Sequence, residues 1–429
     1  MKKLFFALLF VLTFTKIYSQ EWQCLNTNLI QGNIRIDDVS LINDSTGYYV
    51  TSLGYVVKFE NYGDKQTIIN LNKKFAYGRS VEFFNDQCGF VGTLGDQEPL
   101  YVTYNGGNSW INLKSKLGAN VTGICGLDII GDSTIYGVGK FYLAKYFIKS
   151  TDLGQTWTVT DLSDYATGMI DVEFISKDTG FISGYHKYDS LGGVILYTTD
   201  GGITWQEKYR TNLPGQAIWK LQNLDNKHWY GSIQPYPNQP VSIIKSVDSG
   251  ATWTYHTIDT ISHYLQVIGF VNKTKGWTGG KQLLYETNDG GLTWQIKPSC
   301  NTNFDRFQRV NDTLAYMTGK SFMRFSNRPL VTGIQNQYLN EPYHLIRLKP
   351  NPVKLGEKLT IEIDQISDTY AELGIVDMQG RFIEVIQKTI QPKGKYNYQI
   401  NIDDKYSAGM YTIYFYTNEG MESLNFSVR

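Results

Sequence analysis

TTDGGITW, residues 198–205, decides the fold because it recurs: TYNGGNSW (103–110), STDLGQTW (150–157), SVDSGATW (246–253) and TNDGGLTW (287–294) share the pattern S/T-x-D/N-x-G-x-x-W. Its acid or amide positions are Asn105, Asp152, Asp200, Asp248 and Asp289, spaced 41 to 48 residues apart, and its tryptophans are Trp110, Trp157, Trp205, Trp253 and Trp294. An eroded copy carries Asn61 and Gly63, with Gln66 in the tryptophan place. Local chemistry accounts for the pattern. A carboxylate or amide accepts hydrogen bonds from the N–H groups of a turn, and a glycine two residues later takes positive φ without a Cβ clash. The indole then covers the hairpin.

Upstream of each copy runs an aromatic or apolar segment: TGYYV from Thr46, CGFVG from Cys88, TIYGVG from Thr134, TGFISG from Thr179, HWYGS from His228, KGWTGG from Lys275 and LAYMTG from Leu314. Further short segments such as SVEFF, GLDII, DVEFI and VIGFV precede them, so each unit reads as four strands. Seven such units predict an all-β chain with a seven-bladed β-propeller over residues 20–330. The seventh unit lacks the motif near Arg328 and Pro329 and is short of an outer strand, whereas EWQCL, from Glu21, resembles the outer-strand segments TWQEK and TWQIK. The N-terminal strand is therefore expected to complete the last blade and remove an exposed edge. That would bring Cys24 and Cys300 near the closing blade, although spacing leaves the pairing among Cys24, Cys88, Cys125 and Cys300 open.

Composition agrees with this reading. Among 429 residues there are 31 Tyr, 9 Trp and 41 Gly but only 11 Pro, which favours short aromatic strands joined by tight turns. Forty Lys and Arg balance forty Asp and Glu, so no basic field exists to hold nucleic acid. The five histidines form no H-x-x-x-H pair and the cysteines no C-x-x-C pair; neither a metal nor a cofactor is expected.

Lys2 and Lys3 followed by the apolar run Leu4–Thr15 and by Ser19 read as a signal peptide over residues 1–19, with no transmembrane segment in the mature chain. Residues 331–344 read as a polar linker. Beyond it, LTIEI, AELGIVD, YNYQINI, MYTIYFYT and SLNFSV alternate as strands of a small Ig-like β-sandwich over 345–429. This segment resembles the type A C-terminal sorting domain of the Bacteroidetes type IX secretion system, through Pro350, Asn351, Pro352, Gly380 in the DMQGR turn, Gly409, Tyr411 and the terminal SLNFSVR. The resemblance implies that the type IX secretion machinery is a partner. It also implies delivery to the outer-membrane surface or the medium after periplasmic transit.

The repeated motif itself resembles the Asp box (BNR repeat) of sialidases, sortilin-like receptors, xyloglucanases and photosystem-assembly-factor propellers, the last being similar in architecture. The resemblance implies a structural hairpin for Asn105, Asp152, Asp200, Asp248 and Asp289, away from the functional face. Ligand contacts are instead expected in the connections that lead into the first strands, which carry Tyr77, Arg79, Tyr165, Trp219, His263, Tyr264 and Arg306. The long connections in the fourth and fifth units add Tyr185, His186, Tyr188 and Tyr236. Aromatic side chains with few charges suit the binding of a protein or glycan. The alternative is a secreted glycoside hydrolase, sialidase-like or xyloglucanase-like. A sialidase needs clustered arginines, and an inverting glycosidase needs two carboxylates about 6.5–9.5 Å apart. Asp37, Asp38, Asp161, Asp164, Asp171 and Asp259 are available, and the sequence does not single out a pair.

Overall fold

The computed structural model describes residues 20–25, 30, 34–70, 74–141, 145–186, 192–260, 264–281, 283–299, 303–328, 346–365, 369–377, 382–417 and 420–429. From Glu21 to Ser326 the described strands make seven four-stranded antiparallel sheets. Six are simple meanders of consecutive strands. Their innermost strands are Ile36–Asn43, Gly78–Phe83, Ile124–Ile130, Gly168–Phe174, Ala217–Asn223 and Leu265–Phe270; the seventh sheet starts with Phe304–Asn311. Neighbouring sheets bury apolar residues between them. Tyr136, Val138 and Phe147 of the third sheet pack with Met169, Val172 and Phe174 of the fourth, and comparable clusters recur at other steps.

The outer strand of the seventh sheet is the N-terminal segment Glu21–Cys24, antiparallel to Met323–Ser326 with Trp22 opposite Phe325. Trp22 lies edge-on to Trp277 at 5.2 Å between ring centroids and 5.6 Å from Phe325. The N-terminal segment thus covers the edge that Met323–Ser326 would otherwise expose. Cys24 is disulfide-bonded, Cys88 and Cys125 are free and buried, and Cys300 lies outside the described residues.

The remaining described strands form a three-stranded and a four-stranded sheet over Ile346–Val428. Leu359 and Ile361 of one share a core with Leu373, Ile375, Ile413 and Phe426 of the other. Phe382–Gln391 is a strand that the sequence pattern did not reveal. It is an edge strand whose described side chains, the buried Gln391 apart, are at most half-buried, so the apolar alternation that marks a strand is weak. Asn351 donates to the Asn425 carbonyl at 3.1 Å and accepts from the Ser427 N–H at 3.2 Å, between Pro350 and Pro352. Gly409 opens a strand, and the buried Tyr411 exchanges hydrogen bonds with the Ser407 backbone at 2.8 and 3.0 Å. Gly380 lies outside the described residues.

Candidate functional site

The repeated motif lies between the third and fourth strands of its sheet. In an antiparallel meander that is the end of the molecule opposite to the one at which the innermost strands begin. Asp200 accepts hydrogen bonds from the N–H groups of Ile203 and Thr204 at 3.0 and 2.9 Å and from the Thr204 hydroxyl at 2.5 Å. Thr198 donates its hydroxyl to Asp200 at 2.8 Å and accepts from Gly202 N–H at 2.9 Å, while Trp205 Nε1 donates to the Gly202 carbonyl at 3.1 Å. Asp152, Asp248 and Asp289 are held in the same way, with Trp157, Trp253 and Trp294 closing their turns. Hydrogen bonds from the threonine hydroxyl and N–H hold all four carboxyls down at about 2. Asn105 accepts from Ser109 N–H and donates to its hydroxyl, both at 2.9 Å, and Trp110 Nε1 is buried without a hydrogen-bond partner. Two successive residues of the turn are left-handed, so Leu153 (φ 58°) and Ser249 (φ 64°) take a conformation favoured by glycine just before Gly154 and Gly250.

The opposite end holds a different repeated device. In every innermost strand the pairing register slips near its start, between Ile36 and Asp38, Gly78 and Ser80, Ile124 and Gly126, Met169 and Asp171, Ile218 and Lys220, Leu265 and Val267, and Phe304 and Phe307, and the first and seventh of these strands slip again near their ends. A bulge re-aims the extra side chain. The residues so displaced are Asp37, Arg79, Cys125, Ile170, Trp219, Gln266 and, in the wider seventh slip, Asp305 and Arg306. Arg306 apart, they ring the channel mouth.

One side of this ring is charged. Arg35 pairs with Asp37 Oδ1 at 2.9 Å and with Asp305 at 2.7 Å, and Arg79 pairs with the same Asp37 oxygen. Arg79 also donates through Nε to Cys125 Sγ at 3.3 Å and lies 5.6 Å from the Trp219 ring centroid. Burial pushes Asp305 up to about 6 even though Arg35 opposes the shift. Tyr77 adopts φ 50° at the rim, where the charge of Asp37, with burial, pushes its hydroxyl up to about 12. The other side is apolar: Cys125, Ile170, Ala217 and Trp219 pack together with Phe141 and Tyr185.

One layer deeper, Asp171 binds Lys220 at 3.0 Å and Arg306 at 2.9 Å, and Arg306 reaches Asp38 at 3.2 Å. Burial alone would raise Asp171, but Arg306 and Lys220 hold it below the ordinary value. For Asp38 burial wins and the carboxyl is raised despite Arg306. These side chains also cap the neighbouring innermost strand. Asp38 accepts from Val81 N–H at 3.1 Å, Ser40 from Phe83 at 3.0 Å, Asp128 from Phe174 at 2.5 Å, Asp171 from Leu221 at 2.9 Å and Gln222 from Phe270 at 2.7 Å. An innermost strand has no partner on its channel side, and a buried N–H left unsatisfied costs about 1–3 kcal/mol. A polar channel wall is the fold's own answer.

Of the residues singled out from sequence, Tyr77, Arg79 and Trp219 converge at the mouth, and Arg306 lies one layer below, on Asp171 and Asp38. Tyr185 backs the apolar side, and His186 hydrogen-bonds Thr167 at 3.2 Å beside it. Tyr264 is 56% exposed and immediately precedes an innermost strand, while Tyr236, 59% exposed, packs on Gly215 at the start of another. Tyr165 sits elsewhere: its hydroxyl donates to the Trp205 carbonyl at 2.8 Å within the packing between two sheets. Tyr188 and His263 lie outside the described residues. Arg35, Cys125, Ile170, Gln266 and Asp305 were not singled out, although aligning the first strands of the repeats as a column would have gathered most of them.

Residues 196–207 match the BNR/Asp-box repeat. Photosystem II assembly lipoprotein Ycf48 of Synechococcus sp. (strain CC9902) is 28% identical over 143 residues, which are 32% of this chain and 39% of that one. A xyloglucanase of Paenibacillus sp is 24% identical over 205 residues, 40% of this chain and 19% of its own length. The matches thus span well under half of either relative. Among solved structures, a YCF48 bound to D1 peptide superposes with a TM-score of 0.52 at 17% identity, over 71% of this chain and 96% of that one. The chain therefore carries the Asp-box repeat on a β-propeller fold similar to that of Ycf48.

Proposed function

We propose that the chain is a seven-bladed, non-enzymatic propeller that binds a protein or glycan at the channel mouth. It is delivered to the cell surface or medium through a signal peptide at 1–19 and an Ig-like type IX sorting domain at 345–429, joined by the linker 331–344. The observation that carries the binding role is that the described carboxylates Asp37 and Asp305 at the mouth, and Asp171 one layer below, are each committed to a cation. Asp37 lies between Arg35 and Arg79, Asp305 on Arg35, and Asp171 between Arg306 and Lys220. A glycosidase needs one carboxyl free to give a proton and another free to activate water or attack. A sialidase-like site needs its arginines free for the substrate's carboxylate, whereas here the chain's own aspartates occupy them. The apolar side around Trp219 and the exposed Tyr77, Tyr236 and Tyr264 offer contact area without such chemistry.

The resemblance to a Ycf48 with bound peptide supports a propeller that holds a partner, and the xyloglucanase similarity supports a glycan as one class of it. The test is retention: the mature chain, immobilised, is offered glycans and surface peptides, then compared with the Tyr77→Ala and Tyr264→Ala chain. Loss of retention with an unchanged melting curve is expected. Undiminished retention would move the site elsewhere.

A further inference from the structure

We propose that the channel mouth recognises a neutral, hydroxyl-rich saccharide, an inference that rests on the binding role proposed above. Charge is the first argument. Arg35 and Arg79 face Asp37 and Asp305, Lys220 and Arg306 face Asp38 and Asp171, and at the rim Lys140 pairs with Asp96. These two layers are each balanced, and the buried Glu82, Asp128 and Glu173 further in bring no cation, so no surplus positive charge selects a sulfated or sialylated glycan or a phosphate.

The unfilled hydrogen-bonding atoms are the second argument. Asp37 Oδ2, an acceptor, and Trp219 Nε1, a donor, are both buried without a hydrogen-bond partner. A hydroxyl both donates and accepts, so neighbouring hydroxyls on one sugar ring can serve both kinds of atom. A ligand with only donors or only acceptors would leave one of them unsatisfied. The third argument is the backbone. Side chains cap the channel-side N–H groups of Val81, Phe83, Phe174, Leu221 and Phe270, which withdraws these positions from pairing with an added peptide strand. What remains at the rim are the exposed rings of Tyr77, Tyr236 and Tyr264, flat surfaces on which the C–H face of a pyranose can rest.

The experiment is calorimetry of the mature chain with xyloglucan, mannan, β-1,3-glucan and chitin oligosaccharides, beside sialylated and sulfated oligosaccharides and a set of basic and acidic peptides, in 50 and 500 mM salt (about 14 and 4 Å screening lengths). A neutral oligosaccharide is expected to bind, with Kd changing less than about twofold between the two salts. Tyr77→Ala and Tyr264→Ala should each weaken it about tenfold while leaving the melting temperature in place. Asp37→Asn leaves the mouth positive and should turn preference toward sulfated chains in a salt-dependent way; should it fail to fold, the tyrosine variants carry the test. Binding confined to anionic glycans or to peptides, and lost in the same tyrosine variants, would overturn the saccharide inference while keeping the mouth as the site. Binding of a neutral glycan that is indifferent to both tyrosines, or no binding by any member, would overturn both.

Discussion

Gln23 Oε1 accepts hydrogen bonds from Nε and Nη2 of Arg324, at 3.3 and 3.0 Å, across the seam where the two ends of the ring meet. Arg324 is fully buried, and its Nη1 also reaches the Tyr62 carbonyl at 3.0 Å and Asp64 at 3.1 Å in the first sheet. One guanidinium thereby ties the N-terminal strand, the last sheet and the first. Removing its partners leaves a buried charge uncompensated, a far larger penalty than losing a surface pair.

Closure gives the first prediction. Deleting residues 20–28 removes Trp22 from Trp277 and Phe325 and strips Arg324 of Gln23. Trp22 is half-buried, so Trp22→Ala alone should lower stability by up to about 3 kcal/mol, the low end for a fully buried aromatic, and the deletion by more. Thermal and urea melts measure both. A deletion chain melting like the parent would show that the ring does not depend on this strand.

Stability against pH is the second, because two sets of carboxyls pull in opposite directions. Asp152, Asp200, Asp248 and Asp289 sit at about 2, below the ordinary 3.8. Their contribution is present above about pH 4 and is lost as pH falls through about 2. Asp305 and Asp128, raised chiefly by burial to about 6 and about 7, favour the fold while neutral. Their contribution is complete below about pH 4 and is lost as pH rises through 6 to 7. The melting temperature should therefore peak near pH 4 and decline toward pH 7, and Asp128→Asn, which keeps an acceptor for Phe174 N–H, should flatten that decline. An unchanged slope in that variant would contradict the assignment.

Thiol counting is the third. Burial pushes the Cys88 thiol up to about 11, and Cys125 is fully buried, so neither should react with an aromatic disulfide reagent in the native state. Unfolding without reductant should expose two thiols, with Cys24 remaining bridged. Four thiols would contradict the bridge.

Export is the fourth. Loss of residues 345–429 should leave signal-peptide removal intact and hold the propeller in the periplasm of a Bacteroidetes host. Fractionation decides it, and equal extracellular amounts of full-length and truncated chain would refute the sorting role.

The scaffold was legible in the sequence because each Asp box is a local device: Asp200, Gly202, Thr204 and Trp205 satisfy one another within eight residues. The closing strand was legible through the likeness of Glu21–Cys24 to other outer strands. The mouth was legible only in part. Arg79, Trp219 and Arg306 stood out as unusual residues leading into strands, but the partners of Arg306, Asp38 and Asp171, lie 268 and 135 positions away and meet it only when the ring closes. The bulges left no signature of their own either, since Asp37, Arg79, Cys125, Ile170, Trp219 and Gln266 have no residue type in common. Tyr165 misled because an aromatic in a connection reads alike whether it faces a ligand or, as here, the carbonyl of Trp205.

The most direct measurement is sugar release. Purified mature chain, incubated with xyloglucan, β-glucans, mannan and sialylated oligosaccharides, should bind one of them and liberate no reducing sugar or sialic acid above the level without protein, since Asp37, Asp171 and Asp305 are all tied to cations. Time-dependent release that disappears in Asp37→Asn or Asp305→Asn, with binding retained, would instead make the channel mouth a catalytic centre.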